Sequence, residues 1–260
     1  MGSKQLVGKT AIVTGGSSGN GRAIAVRLAN DGATVVIADI DCPKAEETLS
    51  IIRSRQQLFD KSAYGPIFIE TDVSDFDSIK SCILASHGIH GHVDIMVNNA
   101  GINRRSPVRD IADEDWDRVI AVNLAGVYFG MRAAGDYMSE ANIPGAIINV
   151  SSIRQVVAGL GNCAYSTAKG GISGMTRFYG HQYAKSNIGV FSVGPGYLDT
   201  PMTNSLLEQP GVLEGIVGQI PWGRLALPEE VAGVVAFLAT PFAKYLRGQT
   251  IMVDGGYLTG

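Results

Sequence analysis

Tyr165 and Lys169 lie four residues apart in Ala164-Tyr165-Ser166-Thr167-Ala168-Lys169, a spacing that puts both side chains on one face of a helix. A phenol near pKa 10 is a poor base at neutral pH. A neighbouring ammonium, and a second cation such as an oxidised nicotinamide, favour the phenolate and lower that value. A lowering of about two or three pH units, each worth ~1.4 kcal/mol, would let the ring oxygen exchange a proton in the physiological range. The pair predicts proton transfer to or from an oxygen beside a bound cofactor.

A second stretch with chemical potential is Thr14–Gly21, TGGSSGNG. Gly15-Gly16-Ser17-Ser18-Gly19 matches G-x-S-x-G, the elbow that presents a nucleophilic serine in many hydrolases. The same residues form a glycine-rich turn between a strand and a helix, which suits the phosphates of a dinucleotide. The elbow reading needs an earlier strand-to-helix loop for the oxyanion, yet only one strand precedes Ser17. It also needs Asp and His after the serine, and only His181, inside a predicted helix, lies in the second half. The phosphate reading fits better. Gly15, Gly19 and Gly21 follow an apolar strand and open a helix, and glycine lets the backbone approach a phosphate with no Cβ in the way. The first N–H groups of that helix and its dipole then face the anion. Asp39, twenty residues after Gly19, ends the next strand, where a carboxylate can accept hydrogen bonds from an adenosine ribose diol. The same carboxylate would repel a 2′-phosphate, and no Arg or Lys lies in the turn or just after Asp39, so NAD is expected over NADP.

These groups need a scaffold, and the chain supplies short apolar runs alternating with helical patterns. Strands are expected at Thr10–Thr14, Thr34–Asp39, Pro66–Glu70, Val93–Val97, Ala146–Val150, Gly189–Val193 and Thr250–Val253. Helices are expected at Gly21–Asn30, Pro43–Leu58, from about Asp75, and at Asp115–Met138, Ala164–Lys185 and Glu229–Ala239. Strands this apolar, separated by helices, imply an α/β fold: a single Rossmann-type, doubly wound parallel sheet of about seven strands with helices on both faces. Gly196–Leu227, rich in proline and weak in helical pattern, is expected to form a small substrate-binding lobe after a sheet strand. With no repeat, linker or low-complexity tract, residues 1–260 read as one domain.

Composition narrows the partners. The 260 residues are 45% hydrophobic and 17% charged, which permits a substantial core and disfavours disorder. A net charge of −3 without a basic tract argues against nucleic acid and anionic membranes. No apolar run approaches the ~18 residues of a membrane span. The amino terminus lacks a signal-peptide core, and Leu6 breaks the myristoylation pattern. Three unevenly spaced cysteines, Cys42, Cys82 and Cys163, suit reduced thiols in the cytoplasm. His87-Gly88-Ile89-His90-Gly91-His92 has no acidic or Cys ligand close by, so it is read as a solvated loop at the sheet end opposite the cofactor, and no metal is expected.

Taken together, the motifs resemble those of the short-chain dehydrogenase/reductase family, from about Leu6 to Gly260. In family order they are T-G-x-x-x-G-x-G at Thr14, Asn98-Asn99-Ala100-Gly101, Val122-Asn123-Leu124, Asn149-Val150-Ser151-Ser152, Tyr165-x-x-x-Lys169 and Pro195-Gly196-Tyr197-Leu198-Asp199-Thr200. The resemblance implies that Tyr165 exchanges a proton with the substrate oxygen and that Ser152 hydrogen-bonds that oxygen. Lys169 would hold the nicotinamide ribose and lower the tyrosine pKa, and Asn123 would bind a water in a proton relay to solvent. Asp72 would contact the adenine, Asn99 and Gly101 the adenosine ribose, and Thr200 the carboxamide. The implied cofactor site further takes in Gly15, Ser17, Ser18, Gly19, Asn20, Gly21, Ile40, Val73, Ala100, Pro195, Gly196, Leu198 and Met202. Ser151 is expected to be structural. Asn20 departs from the family pattern, which more often has an apolar residue between the last two turn glycines. Family members are mostly tetramers or dimers, so a homo-oligomer is expected, a tetramer before a dimer.

Three arginines bear on the substrate. Arg104 and Arg105 follow the NNAG loop and Arg154 follows Ser152 by two; together they could hold a carboxylate or sulfonate through forked hydrogen bonds. The pair after the loop is similar to that of some gluconate and ketodeoxygluconate dehydrogenases of the family. The plainer alternative has Arg104 and Arg105 on a solvated loop, paired with Asp110, Asp113 or Glu114. Asn103, Gln155, Asn162 and Tyr197 favour a hydroxyl-rich substrate. The leading expectation is an NAD-dependent enzyme moving a hydride between nicotinamide and a secondary alcohol of a sugar, polyol or hydroxy acid. The alternatives are a 3-oxoacyl carrier-protein reductase, which usually uses NADPH, and a non-catalytic nucleotide sensor on the same fold.

Overall fold

The seven apolar runs form one parallel sheet: β1 (Thr10–Thr14), β2 (Thr34–Asp39), β3 (Ile67–Glu70), β4 (Ile95–Asn98), β5 (Ala146–Val150), β6 (Gly189–Pro195) and β7 (Thr250–Val253). The structure, a computed structural model, describes residues 4–56, 65–107, 110–159 and 161–260. Strand order is β3-β2-β1-β4-β5-β6-β7, and Val13 of β1 pairs with Ile37 on one side and Val97 on the other. The winding reverses between β1 and β4, so a crevice opens at the carboxyl ends of these two strands.

Alternation along the strands builds a core on each face. Ala11 and Val13 pack with α1 (Gly19–Asn30), α2 (Cys42–Gln56) and α9 (Pro228–Leu238). Ile12 faces the layer of α3 (Phe76–His90), α5 (Gly126–Glu140) and α6 (Cys163–Gln182). Ile24 and Leu28 of α1 are fully buried, each contributing roughly 1.5–3 kcal/mol by leaving water. A buried polar chain crosses the second layer: Asn98 Nδ2 donates to Asn149 Oδ1 (2.9 Å), and Asn149 Nδ2 donates to Thr176 Oγ1 (3.0 Å). These amides tie β4 to β5 and α6 just below the crevice.

Three local expectations change. The long helix starts at Asp113, where Asp113, Glu114 and Asp115 fill the first turn of α4 (Asp113–Ile120) and favour the helix dipole. A π turn at Ala121–Ala125 then links α4 to α5; a single π turn barely disturbs the apolar pattern, so periodicity passes over it. The His87–His92 segment is not a solvated loop. His87 and His90 close the last turn of α3, His90 is 6% exposed, and His92 Nε2 lies 3.2 Å from Asp94 Oδ2. The proposed helix end at Leu58 lies outside the described residues, where α2 is followed only to Gln56.

Gly196–Leu227 leaves the sheet, carries the short helices α7 (Asn204–Leu207) and α8 (Val212–Val217), and returns through a parallel bridge between Leu198 and Ala226. Among the described residues no helix is long and apolar enough to cross a membrane, and no group of His, Cys, Asp and Glu could hold a metal ion.

Candidate active site

A cleft of ≈ 1380 Å³ opens over the carboxyl ends of β1, β4, β5 and β6. Its floor is the glycine turn. Gly15 (φ +64°) and Gly19 (φ +49°) lie in the left-handed region that favours glycine. A Cβ on Gly21 would overlap the Gly15 carbonyl oxygen, and one on Gly15 would come within 2.8 Å of Ala100 Cα. Ser18, extended, precedes α1 without a side-chain cap bond. Its helix start therefore presents N–H groups and a spare hydroxyl to the cleft, a geometry suited to a phosphate. Asn20 Oδ1 is buried with no hydrogen-bond partner. Ser17, Asn20 and Gly21 also line the cleft.

The turn is held from both sides. Thr14, which opens the glycine motif, accepts at Oγ1 from Asn99 N (2.9 Å) and Ala100 N (3.1 Å) and donates to Val97 O (3.2 Å). Asn99 Nδ2 donates back to Thr14 O (2.9 Å) and Gly15 O (3.2 Å). Asp39 Oδ2 accepts from Ser17 N (3.0 Å), while Oδ1 accepts from Ile40 N (2.8 Å) and Asp41 N (3.1 Å). The carboxylate is thus fixed at the end of β2, on the cleft wall with Ile40. Two cations come near it in space. Arg22 is engaged by Ser17 O, Thr48 and Glu47 (2.8 Å), and Lys44 by Asp41 (2.6 Å). Asp72, whose Oδ1 accepts from Ser74 N and Oγ, and Val73 line the same end, with Gly101 next to the Asn123 amide.

At the other end β5 delivers Ser151 and Ser152, and α6 delivers Tyr165 and Lys169. Ser151 Oγ donates to Lys169 O (3.0 Å), a structural bond that ties strand to helix. Ser152, 8% exposed, faces the cleft and also caps the next turn, accepting from Arg154 N (3.2 Å). Lys169 Nζ donates to Val150 O (2.7 Å) and lies 5.5 Å from the Tyr165 ring centroid, over the ring and not at its hydroxyl. Burial lowers the Lys169 ammonium to about 8.

The tyrosine differs from expectation in direction. Burial pushes the Tyr165 phenol above its ordinary value, outweighing the Ser152 hydroxyl and the charges of Arg105 and Arg154, which pull it down. The low-dielectric pocket that makes Lys169 a weaker cation also disfavours a phenolate.

Asn123 is fully buried in the π turn and off the cleft wall. Its Oδ1 accepts from Ile102 N and its Nδ2 donates to Ile102 O, both at 2.8 Å, bracing the loop after β4. Pro195, Gly196, Leu198, Thr200 and Met202 line the cleft from the lobe side. Thr203 Oγ1, donating to Leu198 O (2.6 Å) and accepting from Thr200 N (3.0 Å), fixes that loop.

The arginines separate. Arg104 does not line the cleft; its Nε lies 3.6 Å from Asp115 Oδ1, an acid other than the three considered from sequence. Arg105 and Arg154 line the cleft, as do Asn103, Asn162 and Tyr197. Arg154 donates to Ala158 O and to the Tyr197 hydroxyl, its guanidinium 5.3 Å from the Tyr197 ring centroid. Gln155 points elsewhere, bonded to Ser173 and Met252.

The family profile described as "Enoyl-(Acyl carrier protein) reductase" matches residues 15–258. The chain is 38% identical to the 3-oxoacyl-[acyl-carrier-protein] reductase of Thermotoga maritima, over 97% of this chain and 98% of that one. It is 33% identical to the 2-dehydro-3-deoxy-D-gluconate 5-dehydrogenase of Escherichia coli, over 97% and 96%. A crystal structure described as "a putative 2-deoxy-d-gluconate 3-dehydrogenase" from Agrobacterium tumefaciens, with bound NADP, superimposes with a TM-score of 0.90 at 32% identity and full coverage of both chains.

Proposed function

The chain belongs to the short-chain dehydrogenase/reductase family, and from that premise we propose that it oxidises a secondary alcohol carrying an anionic group, a sugar acid or related hydroxy acid, with NAD. Relatives in this family are oxidoreductases acting on CH–OH groups. The observation that carries the acidic substrate is a pair of cations without acidic partners. Among the described residues no carboxylate pairs with Arg105 or Arg154, although the chain is net negative and both face the cleft beside Ser152 and Tyr165. Unpaired guanidinium groups in a cleft favour a forked bond to a carboxylate. Arg154→Ala should raise KM for hydroxy acids about tenfold or more, the worth of a charge-assisted hydrogen bond, with little change for neutral polyols. Arg104→Ala, outside the cleft, should leave both unchanged. Equal effects of Arg154→Ala on acids and polyols would remove the anion.

In this reading Tyr165, ionised where the positive charge of bound oxidised nicotinamide would add to those of Lys169, Arg105 and Arg154 and offset its burial, takes the proton of the substrate hydroxyl, and Ser152 holds its oxygen. Bound nicotinamide supplies the hydride acceptor. Lys169 contributes positive charge under the ribose, and its protonation keeps the site favourable to an alkoxide. Asn123 braces the loop after β4 through Ile102, so a relay water would meet its main-chain carbonyl inside the π turn, where the hydrogen-bond register slips by one residue. The turn residues, Asp72, Val73, Asn99, Gly101 and the Pro195–Met202 loop hold the dinucleotide.

NAD is favoured by Asp39, and by the prior engagement of Arg22 and Lys44 with Glu47 and Asp41. A 2′-phosphate would meet a fixed carboxylate, with Arg22 and Lys44 already paired. Asp39→Ser should shift the NADP-to-NAD ratio of kcat/KM by about tenfold or more toward NADP, since like charges in contact cost several kcal/mol. An unchanged ratio would leave the preference to other residues. Carrier-protein reduction is a second reading, supported by the Thermotoga maritima relative; it predicts turnover of 3-oxoacyl thioesters with NADPH. Assembly as a tetramer through α4–α5 and α6, in the cytoplasm with its three free thiols, completes the proposal.

A further inference from the structure

Tyr257, three residues from the carboxyl end, lines the same cleft as Tyr165 and Arg154 although it lies beyond the last strand. Its ring meets Tyr197 edge to face, centroids 5.7 Å apart, and its hydroxyl donates to Gln219 Oε1 (3.1 Å) at the end of the lobe. Tyr197 in turn accepts from Arg154 and underlies its guanidinium. A continuous chain of contacts therefore runs from the lobe through the carboxyl-terminal turn to the cation beside Tyr165.

Tyr197 needs such a hold. One side of it faces the cleft, and the other borders a separate cavity of ≈ 100 Å³ lined by Ile220, Trp222, Ala226 and Val253. Empty volume on the far side gives its side chain room to turn, and a ring lacking close neighbours forfeits the contacts that would fix it. On the cleft side Arg154 and Tyr257 both close on Tyr197. The carboxyl-terminal turn is itself anchored: Gly256 N and Leu258 N donate to Asp254 (3.0 and 3.1 Å), and Trp222 N donates to Gly255 O (3.1 Å).

We infer that Tyr257 is a positioning residue for substrate selection: its ring pins Tyr197, and Tyr197 sets the Arg154 guanidinium where it meets the anionic end of the substrate. The inference rests on the acidic-substrate reading, and one set of variants separates the two. Tyr257→Ala, Tyr257→Phe, Arg154→Ala and the double variant Arg154→Ala/Tyr257→Ala are assayed with hydroxy acids such as gluconate and with the neutral polyol of the same skeleton. NADH affinity is measured by fluorescence titration as a check on the fold. Tyr257→Ala should raise KM for the acid about tenfold while kcat, KM for the polyol and NADH affinity stay within about twofold. Tyr257→Phe keeps the ring and should behave as the parent. The double variant should be no worse than Arg154→Ala alone, because the tyrosine acts through the arginine. Equal losses on acid and polyol, additive losses in the double variant, or weakened NADH binding would overturn the role of Tyr257 while leaving the anion site intact. Failure of Arg154→Ala to separate acid from polyol would overturn the acidic-substrate reading, and the inference with it.

Discussion

Tyr165→Phe should lower kcat for alcohol oxidation on the order of 10³-fold, the usual worth of a positioned acid/base, while NADH affinity stays close to that of the parent. The substitution removes one oxygen from a ring on the cleft wall and outside both core clusters, so the fold has little reason to change. Burial opposes ionisation of Tyr165, and Ser152 with the two arginines only partly offsets it. Stopped-flow fluorescence for cofactor binding and steady-state turnover separate the two quantities. A variant that keeps a tenth of the parent rate would return Tyr165 to a substrate-packing role.

The second large effect concerns Lys169, and it should split activity from stability. Lys169→Met removes the one ammonium beneath the tyrosine and should reduce kcat/KM by about 10²–10³-fold, comparable to losing a charge-stabilising donor. Stability should not follow. The folded-state ammonium is lowered from 10.5 to about 8 by burial, so the native protein binds its proton less tightly than the unfolded chain does. This corresponds to roughly 3 kcal/mol of destabilisation wherever both states are protonated, below pH 8. Between about pH 8 and pH 10.5 the unfolded chain holds more protons, and the Lys169 contribution makes stability rise with pH. Methionine removes both that rise and the buried charge, while losing the bond to Val150 O, worth about 1.5–3 kcal/mol as a charged hydrogen bond. The two terms nearly cancel at neutral pH. Denaturant titrations at pH 7 and pH 9.5 should show similar stability for the two proteins at the lower pH and a relative gain for the parent at the higher. A large loss at pH 7 would mean that the ammonium is stabilising in the fold.

Much of this was readable from residue types. The strand–turn–helix at Thr10–Asn30, Asp39 at the end of β2 and the i, i+4 pair at Tyr165 and Lys169 obey local rules: glycine conformations, helix dipoles and helical spacing. The structure brings those groups to one cleft. What the pattern missed depends on contacts far apart in sequence. Thr14 clamps the loop after β4 from more than eighty residues away, and Asn123 turns inward to Ile102. Arg104 and Arg105 are neighbours in sequence with the same charge, yet one faces Asp115 and the other the cleft, which only the path of the loop decides. The direction of the Tyr165 shift is not legible for a related reason: proximity of charge is visible in the spacing, but the extent of burial is not. Tyr257 carried no local signal at all.

The most direct measurement follows the hydrogen itself. A hydroxy acid turned over by the enzyme is labelled with deuterium on the carbinol carbon and oxidised in the presence of NAD, and the reduced cofactor is recovered for mass spectrometry. Direct transfer in this cleft requires one deuterium in the nicotinamide ring for each ketone formed, and the same stoichiometry at the much slower rate of Tyr165→Phe. Reduced cofactor without the label, or ketone formed without any reduction of NAD, would contradict hydride transfer at this site.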